Sequence, residues 1–304
     1  MKGRNGRNLL AYIGLVGPGL FVFLFIIAYP VVYSFWLSLT DFNPNKGGEW
    51  NFVGMAQYAR MLRDANFWHA LKNNMIVVLV SVFGQIPIGF ILAYILYRNM
   101  VKARYFFQSM VFLPQFLSTI VIGLLWRRLF QADGVVSRFL QIVKNDPSAQ
   151  FDLMLRAETV MYPIGFALIW MYTGLYMIIF LANLQKIDNG MIEAAQIDGA
   201  TEFQIFGKII VPLLAGTILV STILAIAGSL RGFDLIFSIT TQGLQRNNAM
   251  VLPIYVYQTA FLDFNNEQRF AFGAAISNAI VIISVLLILF SNFIGRKANA
   301  VEEY

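Results

Sequence analysis

The chain has 304 residues, 58% of them hydrophobic and only 12% charged, with a mean hydropathy of +0.66. Soluble domains are about 25% charged, so this composition excludes an ordinary soluble domain and points to a membrane protein. The formal charge of +6 lies mostly at the ends of apolar runs, a topological pattern, and the absence of cysteine excludes disulfides and thiolate metal sites.

Six runs lack Asp, Glu, Lys, Arg and His for long enough to cross a bilayer: Asn8–Thr40, Asn73–Tyr97, Tyr105–Trp126, Thr159–Gln185, Ile209–Leu230 and Phe270–Gly295. They predict an all-α membrane protein, one transmembrane domain over 1–304, with spans near 9–38, 73–97, 105–126, 160–184, 211–230 and 270–294. The shortest run has 22 residues. As a helix it reaches about 33 Å, enough for a hydrocarbon core of about 30 Å. A further stretch, Asn247–Leu262, has 16 residues and reads as re-entrant or interfacial.

Basic clusters without acids flank the spans: Lys2, Arg4 and Arg7 before the first, Arg98, Lys102 and Arg104 after the second, and Arg296 and Lys297 after the sixth. The positive-inside rule then places both termini in the cytoplasm of a multi-pass protein. Prolines interrupt the spans at Pro18, Pro30, Pro87, Pro114, Pro163 and Pro212. Each is compatible with a kink whose freed carbonyl is satisfied by neighbouring helices. The single histidine, His69, sits beside Trp68 just before the second span and has no partner set for metal or catalysis.

The spans hold no ionisable acid, base or histidine, which argues against proton coupling through the membrane. A self-sufficient sodium-coupled carrier stays open as the alternative, because backbone carbonyls can hold sodium. Uncharged polar groups remain. Tyr172, Ser229, Phe233, Ser277 and Asn278 are candidates for a path taken by a hydroxyl-rich solute, since sugars are held by aromatic faces and a few placed polar groups.

The longest polar interruption between two spans with helical patterning is 186–210. Ile187, Met191 and Ala194/Ala195 form one apolar edge, and Phe203, Phe206 and Ile210 a second. Between them Asp198-Gly199 suits a left-handed helix stop, and Thr201 with Gln204 has the form of a capping box. The expected product is a helix, a glycine corner and a second helix leading into Pro212. It is too small to bury both edges alone, so one edge is expected to need a partner, with Glu193 and Asp198 offering negative charge.

Glu193-Ala194-Ala195, three residues, Gly199, nine residues, and Ile209-Ile210-Val211-Pro212 resemble the EAA motif of ATP-binding-cassette importer permeases. Asp198-Gly199-Ala200 is similar to the carbohydrate-importing branch, which includes the maltose and glycerol-phosphate permeases. Flanking segments extend the resemblance: Phe52-Val53-Gly54, Phe67-Trp68, Arg104-Tyr105-Phe106 with Leu113-Pro114, Gly123-Leu124-Leu125-Trp126, Arg231-Gly232-Phe233-Asp234 and Thr241-Gln242-Gly243. Two departures are Val211, where the family often has Leu, and Leu244-Gln245-Arg246 after Gly243, where it usually has Gly-Pro.

The resemblance implies a permease of the type I importer fold in a bacterial or archaeal cytoplasmic membrane. Its loop would couple to a separate ATPase dimer through Glu193, Ala194, Ala195, Asp198, Gly199 and Ala200. A second, homologous permease, an external solute-binding protein and a saccharide complete the implied assembly. ATP and Mg would belong to the ATPase, because this chain has no Gly-x-x-x-x-Gly-Lys-Ser/Thr loop; Gly207-Lys208 is followed by Ile209.

Overall fold

The computed structural model describes residues 14–43, 50–145, 153–154, 156–240, 247–262 and 269–301. The basic cluster at Lys2–Arg7 and the Thr241-Gln242-Gly243 motif lie outside the described residues, as do the side chains of Arg296 and Lys297. Among the described residues the fold is helical, and an isolated antiparallel bridge joins Thr40 to Phe52. Four helices are long and apolar enough to cross a membrane, or six if each of two bent pairs counts as one span.

Packing divides the chain into two compact units, Met1–Phe67 with Tyr255–Val281, and Trp68–Ile254 with Ile282–Tyr304. In the first, α1 (Gly14–Leu37) buries none of its apolar window within the chain. Its outer surface carries an aromatic ladder, with Phe21, Phe25, Tyr29 and Tyr33 stacked at successive turns 5.9–6.0 Å apart. This unit is tied by Asn278, 2% exposed on α13 (Phe270–Val301). Its amide donates to the Ser34 carbonyl at 3.3 Å and to the Tyr58 hydroxyl at 3.2 Å, and its oxygen accepts from Ser34 Oγ at 3.2 Å. Tyr58 belongs to α2 (Ala56–Arg63), so one amide staples three helices.

In the second unit, α3 (Ala65–Tyr97) packs along α7 (Met161–Leu184). Phe90 stacks on Phe180 at 4.6 Å, and Ala93, Met177 and Leu184 are fully buried between the two. Gly89 allows the approach: a Cβ there would lie 2.8 Å from Tyr176 Cβ and 2.9 Å from the Met177 nitrogen. Small residues at such crossings let membrane helices meet backbone to backbone. α3 begins eight residues before the charge-free run, at Ala65 instead of Asn73. Lys72 and His69 are excluded from lipid but not from a helix, so the run marks the lipid-facing part alone.

The expected third span is not one helix. α4 (Arg104–Phe116) and α5 (Thr119–Phe130) belong to a pair bent by 98°. Pro114 has no N–H to give back to the preceding turn, the chain tightens into a 3-10 turn over Leu113–Phe116, and Leu117 leaves the helical region with ψ 150°. The fifth is also bent. α9 (Glu202–Leu213) meets α10 (Ala215–Arg231) at 70°, directly after Pro212. Helices α6 (Val135–Lys144), α8 (Asn189–Ile197) and α11 (Asp234–Ile239) complete this unit.

The short stretch read as re-entrant forms a helix, α12, over 252–262, in which an α-helical Leu252–Tyr257 runs into a π-helical turn Gln258–Leu262. It is too short to span, at about 1.5 Å per residue. Its entrance is buried, with Val251, Leu252 and Ile254 at 0% exposure. Two adjacent asparagines on α3 hold that entrance. Asn73 Nδ2 donates to the carbonyls of Asn248 at 3.0 Å and Met250 at 2.8 Å. Asn74, fully buried, accepts from the Leu252 N–H at 2.6 Å and donates to the Ser229 carbonyl at 3.3 Å. His69 Nε2 lies 3.1 Å from the Asn248 carbonyl, so this histidine belongs to the same clamp.

Replacing Asn74 by Leu strands the buried Leu252 N–H, at about 1–3 kcal/mol, while the Ser229 carbonyl keeps the Gly232 N–H. The expected outcome is a lower thermal midpoint of the purified protein, with faster proteolysis near residues 247–252, measured against the wild type.

Candidate functional site

The polar segment between α7 and α10 folds as two helices around a corner. Asp188 caps α8, its Oδ1 accepting from the Gly190 N–H at 3.0 Å. Gly199 turns the chain at φ +80°, a conformation that L side chains rarely adopt. Thr201 and Gln204 form the reciprocal capping box that starts α9: Gln204 N–H donates to Thr201 Oγ1 at 3.4 Å and Thr201 N–H to Gln204 Oε1 at 2.8 Å.

The corner buries one face against the spans. Ile192, Ile205 and Ile210 are 2%, 0% and 0% exposed. They share a core with Phe90, Tyr94, Met177 and Phe180, and Phe206 packs on Phe90 at 5.1 Å and on Tyr94 at 4.9 Å. The other face carries Glu193, Ala194, Asp198 and Gly199, all exposed, and Ala195 and Ala200, half-buried beneath them. Three large apolar side chains ring this face: Met191 at 47% exposure, Ile197 at 86% and Phe203 at 84%.

The expected second edge of Phe203, Phe206 and Ile210 is therefore split, with Phe203 outward and the other two inward. The five-residue π-helical turn Phe206–Ile210 changes the periodicity that a 3.6-residue reading assumes. Ile197, next to the acidic Asp198, is the apolar residue of the outer face that the spacing argument missed.

Glu202 was missed as well. Its carboxylate takes a bidentate pair from Arg98, just past the end of α3, with Nε to Oε2 at 3.1 Å and Nη2 to Oε1 at 2.5 Å. The Tyr94 hydroxyl donates to Oε2 at 2.7 Å. The Arg98 guanidinium, seconded by Tyr94, holds the Glu202 carboxyl below its ordinary value of 4.5. Its pair is thus complete above that value and is lost only as pH falls through the depressed one. Tyr97 OH donates to Asn189 Oδ1 at 3.0 Å, so the end of α3 grips both arms of the corner. At 104 residues of separation, no local signal announced this pair.

A cavity of about 190 Å³ lies higher in the same unit, where α3, α5, α7, α10 and α11 converge. It brings together three of the five path candidates, Tyr172, Ser229 and Phe233, and adds Ser81, Gln85 and Asp234. Ser229 Oγ donates within this wall, 2.9 Å from Ser81 Oγ and 2.6 Å from the Ala225 carbonyl. Ser277 and Asn278 do not line it. Asn278 spends its amide on Ser34 and Tyr58, a helix staple where a solute contact was expected, and Ser277 is its half-buried neighbour on α13.

Comparison with known proteins agrees with this architecture. Residues 85–299 match the family model "Binding-protein-dependent transport system inner membrane component". A probable ABC transporter permease protein of Pyrococcus horikoshii is 30% identical over 286 residues, covering 94% of this chain and 96% of the relative. The lactose transport system permease protein of Rhizobium radiobacter is 31% identical over 287 residues, covering 93% of each. In fold, the chain is similar to a bacterial ABC transporter involved in the import of the acidic polysaccharide alginate, with a TM-score of 0.80 at 23% identity and 96% coverage of both chains. With two bent membrane helices, a corner carrying the EAA sequence and a family match over most of its length, the chain belongs to the binding-protein-dependent transport system inner membrane components: it is the permease subunit of an ABC importer.

Proposed function

We propose that this permease carries a saccharide, and that the corner at Glu193–Ala200 is its coupling point to the ATPase. As a family member, the chain works with a solute-binding protein and a separate ATPase, and is itself a transport subunit and not an enzyme. The observation that carries the coupling assignment is the outer face of the corner. Met191, Ile197 and Phe203 surround an exposed acidic and small-residue strip on an element otherwise anchored to the spans. Exposed Met and Phe are side chains enriched in interface cores, and Glu193 beside them offers a carboxylate for a basic residue of the partner. ATP and Mg then act on the partner, and both chain termini share the corner's cytoplasmic side.

The saccharide assignment rests on the cavity and on the relatives. Tyr172 and Phe233 offer ring faces, while Ser81, Gln85 and Ser229 offer hydroxyl and amide groups. Relatives include the lactose permease above and an arabinooligosaccharide transport permease of Bacillus subtilis, 29% identical over 294 residues and covering 95% of this chain. At about 190 Å³ the cavity falls short of the roughly 300–1,000 Å³ of ligand pockets, which supports a second, homologous permease supplying the facing wall.

In the reconstituted assembly, Glu193→Ala should lower solute-stimulated ATP hydrolysis by about tenfold, equivalent to ~1.4 kcal/mol of coupling. Subunit stoichiometry should stay unchanged; full activity in E193A, or uptake by this chain alone under a sodium gradient, contradicts the assignment.

The Arg98–Glu202 pair should matter for transmission more than for stability, since a pair with a 44% exposed carboxylate contributes about 1 kcal/mol at most. Arg98→Glu alone should uncouple hydrolysis from uptake, and the double exchange Arg98→Glu with Glu202→Arg should restore part of it. Equal loss in single and double variants would remove the pair from the coupling route. For the cavity, Tyr172→Ala should change the relative uptake rates across a saccharide panel while ATPase assembly is retained.

A further inference from the structure

A second cavity, of about 430 Å³, opens at the end of the membrane helices next to the corner. The end of α3, the start of α4 and the end of α7 surround it, and nothing in the transport reading uses it. Its lining is polar, in contrast to the lipid-facing grooves of this unit: Arg98, Asn99, Arg104, Gln108, Gln185 and Asn189 converge on it, and no carboxylate is among the residues that line it.

Arg98 is neutralised by Glu202, but Arg104 is not neutralised by any described carboxylate. Its Nη1 donates to Asn99 Oδ1 at 2.7 Å, its Nη2 to the Tyr105 hydroxyl at 2.6 Å, and the guanidinium rests 4.6 Å over the Tyr105 ring. Those are neutral partners that orient the charge without cancelling it. The backbone adds to the same field. Arg104 and Tyr105 open α4, whose N-cap Ala103 provides no side-chain acceptor and whose first turn has no acid. The first amide N–H groups of a helix and its dipole favour an anion. The connecting turn also holds two non-glycine residues in the left-handed region, Asn99 at φ 53° and Ala103 at φ 57°. Asn99 is the left-handed stop of α3, with Met100 N–H returning to the Ile95 carbonyl at 3.1 Å, whereas for Ala103 the conformation costs about 1–2 kcal/mol and persists where the surrounding structure requires it.

We propose that this cavity binds a phosphate group, held by Arg104 and the amides of Asn99, Gln108 and Gln185, and that its occupancy braces the α3–α4 turn beside the corner. Arginine is the side chain best suited to phosphate oxygens, and the surrounding amides supply neutral donors. The site lies where three membrane helices end, so the phosphate can be carried by an anionic lipid headgroup or arrive as a free anion.

The test uses the purified assembly in nanodiscs, where both faces are open and the outcome is independent of membrane orientation. The thermal midpoint is followed in phosphatidylcholine discs against inorganic phosphate, with chloride at matched ionic strength as control, and then in discs containing phosphatidylglycerol without phosphate. The expected result is a saturable rise that chloride does not give. A rise with inorganic phosphate assigns a free anion, and a rise with phosphatidylglycerol alone assigns a headgroup. Arg104→Gln should raise the half-saturating concentration at least about tenfold. Gln185→Leu keeps both guanidiniums and should also weaken the response, which distinguishes a built site from general attraction to positive charge; it serves equally if R104Q fails to fold. No rise with either probe, or the same rise in wild type, R104Q and Q185L, overturns the proposal. Because the readout is binding, it stands or falls separately from saccharide uptake and ATPase coupling.

Discussion

Inside a bilayer there is no water to accept a freed backbone group, so every departure from helix must be repaid by the protein itself. This constraint explains where the polar side chains of this permease went. Asn73 and Asn74 do not face a solute; they saturate the carbonyls and N–H of the irregular stretch that leads into α12. Asn74 also reaches the Ser229 carbonyl near the end of α10, so the short helix and the wall of the 190 Å³ cavity share one side chain. Asn278, in the other unit, is spent on cross-linking helices through Ser34 and Tyr58. Along the cavity wall, Tyr172 stands on the regular helix α7, whereas Ser81 and Gln85 stand at the two ends of a π-turn in α3, where Gln85 donates to the Leu168 carbonyl at 3.2 Å.

The same accounting governs the corner. It is polar because it lies beyond the spans, yet its inner face is as apolar as any core, with Ile192, Ile205 and Ile210 almost fully buried. Burial of that face fixes the corner's position, and Arg98 and Tyr97 fix its angle by gripping one arm each. Neither contribution is large in free energy. Together they leave Met191, Ile197 and Phe203 presented on a rigid element, and a partner that moves those side chains moves α3 with them.

Much of this was legible in the sequence, and for local reasons. Charge-free runs mark what lipid contacts, so the apolar parts of α1, α3, α7 and α13 follow directly from them. The Gly199 corner and the Thr201–Gln204 box depend on residues within four positions of each other, and the structure has both. The 98° break at Leu117 was less legible, because Pro114 permits a kink without dictating that the helix stop. Helical periodicity failed at Phe203–Ile210, where a π-turn inserts an extra residue and carries Phe206 inward. The Arg98–Glu202 pair was invisible, since pattern reading assigned Arg98 to topology and gave Glu202 no role. Only the tertiary fold joins them.

The π-turns bear on how movement could reach the solute. α3 carries one at Ser81–Gln85, and both end residues line the cavity; α9 carries one at Phe206–Ile210, within the corner. Between Gln85 and Arg98 the rest of α3 is regular, a rod of about 20 Å at 1.5 Å per residue. A rod transmits displacement and a π-turn, with its weaker and wider hydrogen bonding, absorbs it; such turns occur frequently at functional sites. On the coupling proposal, a displacement applied at the corner would run along this rod to Ser81–Gln85, where Ser81 Oγ meets Ser229 Oγ at 2.9 Å. That hydrogen bond joins α3 to α10 across the cavity wall. Gln85, at the other end of the same π-turn, donates its amide to the Leu168 carbonyl at 3.2 Å, so the turn ties α3 to α7 as well as to α10.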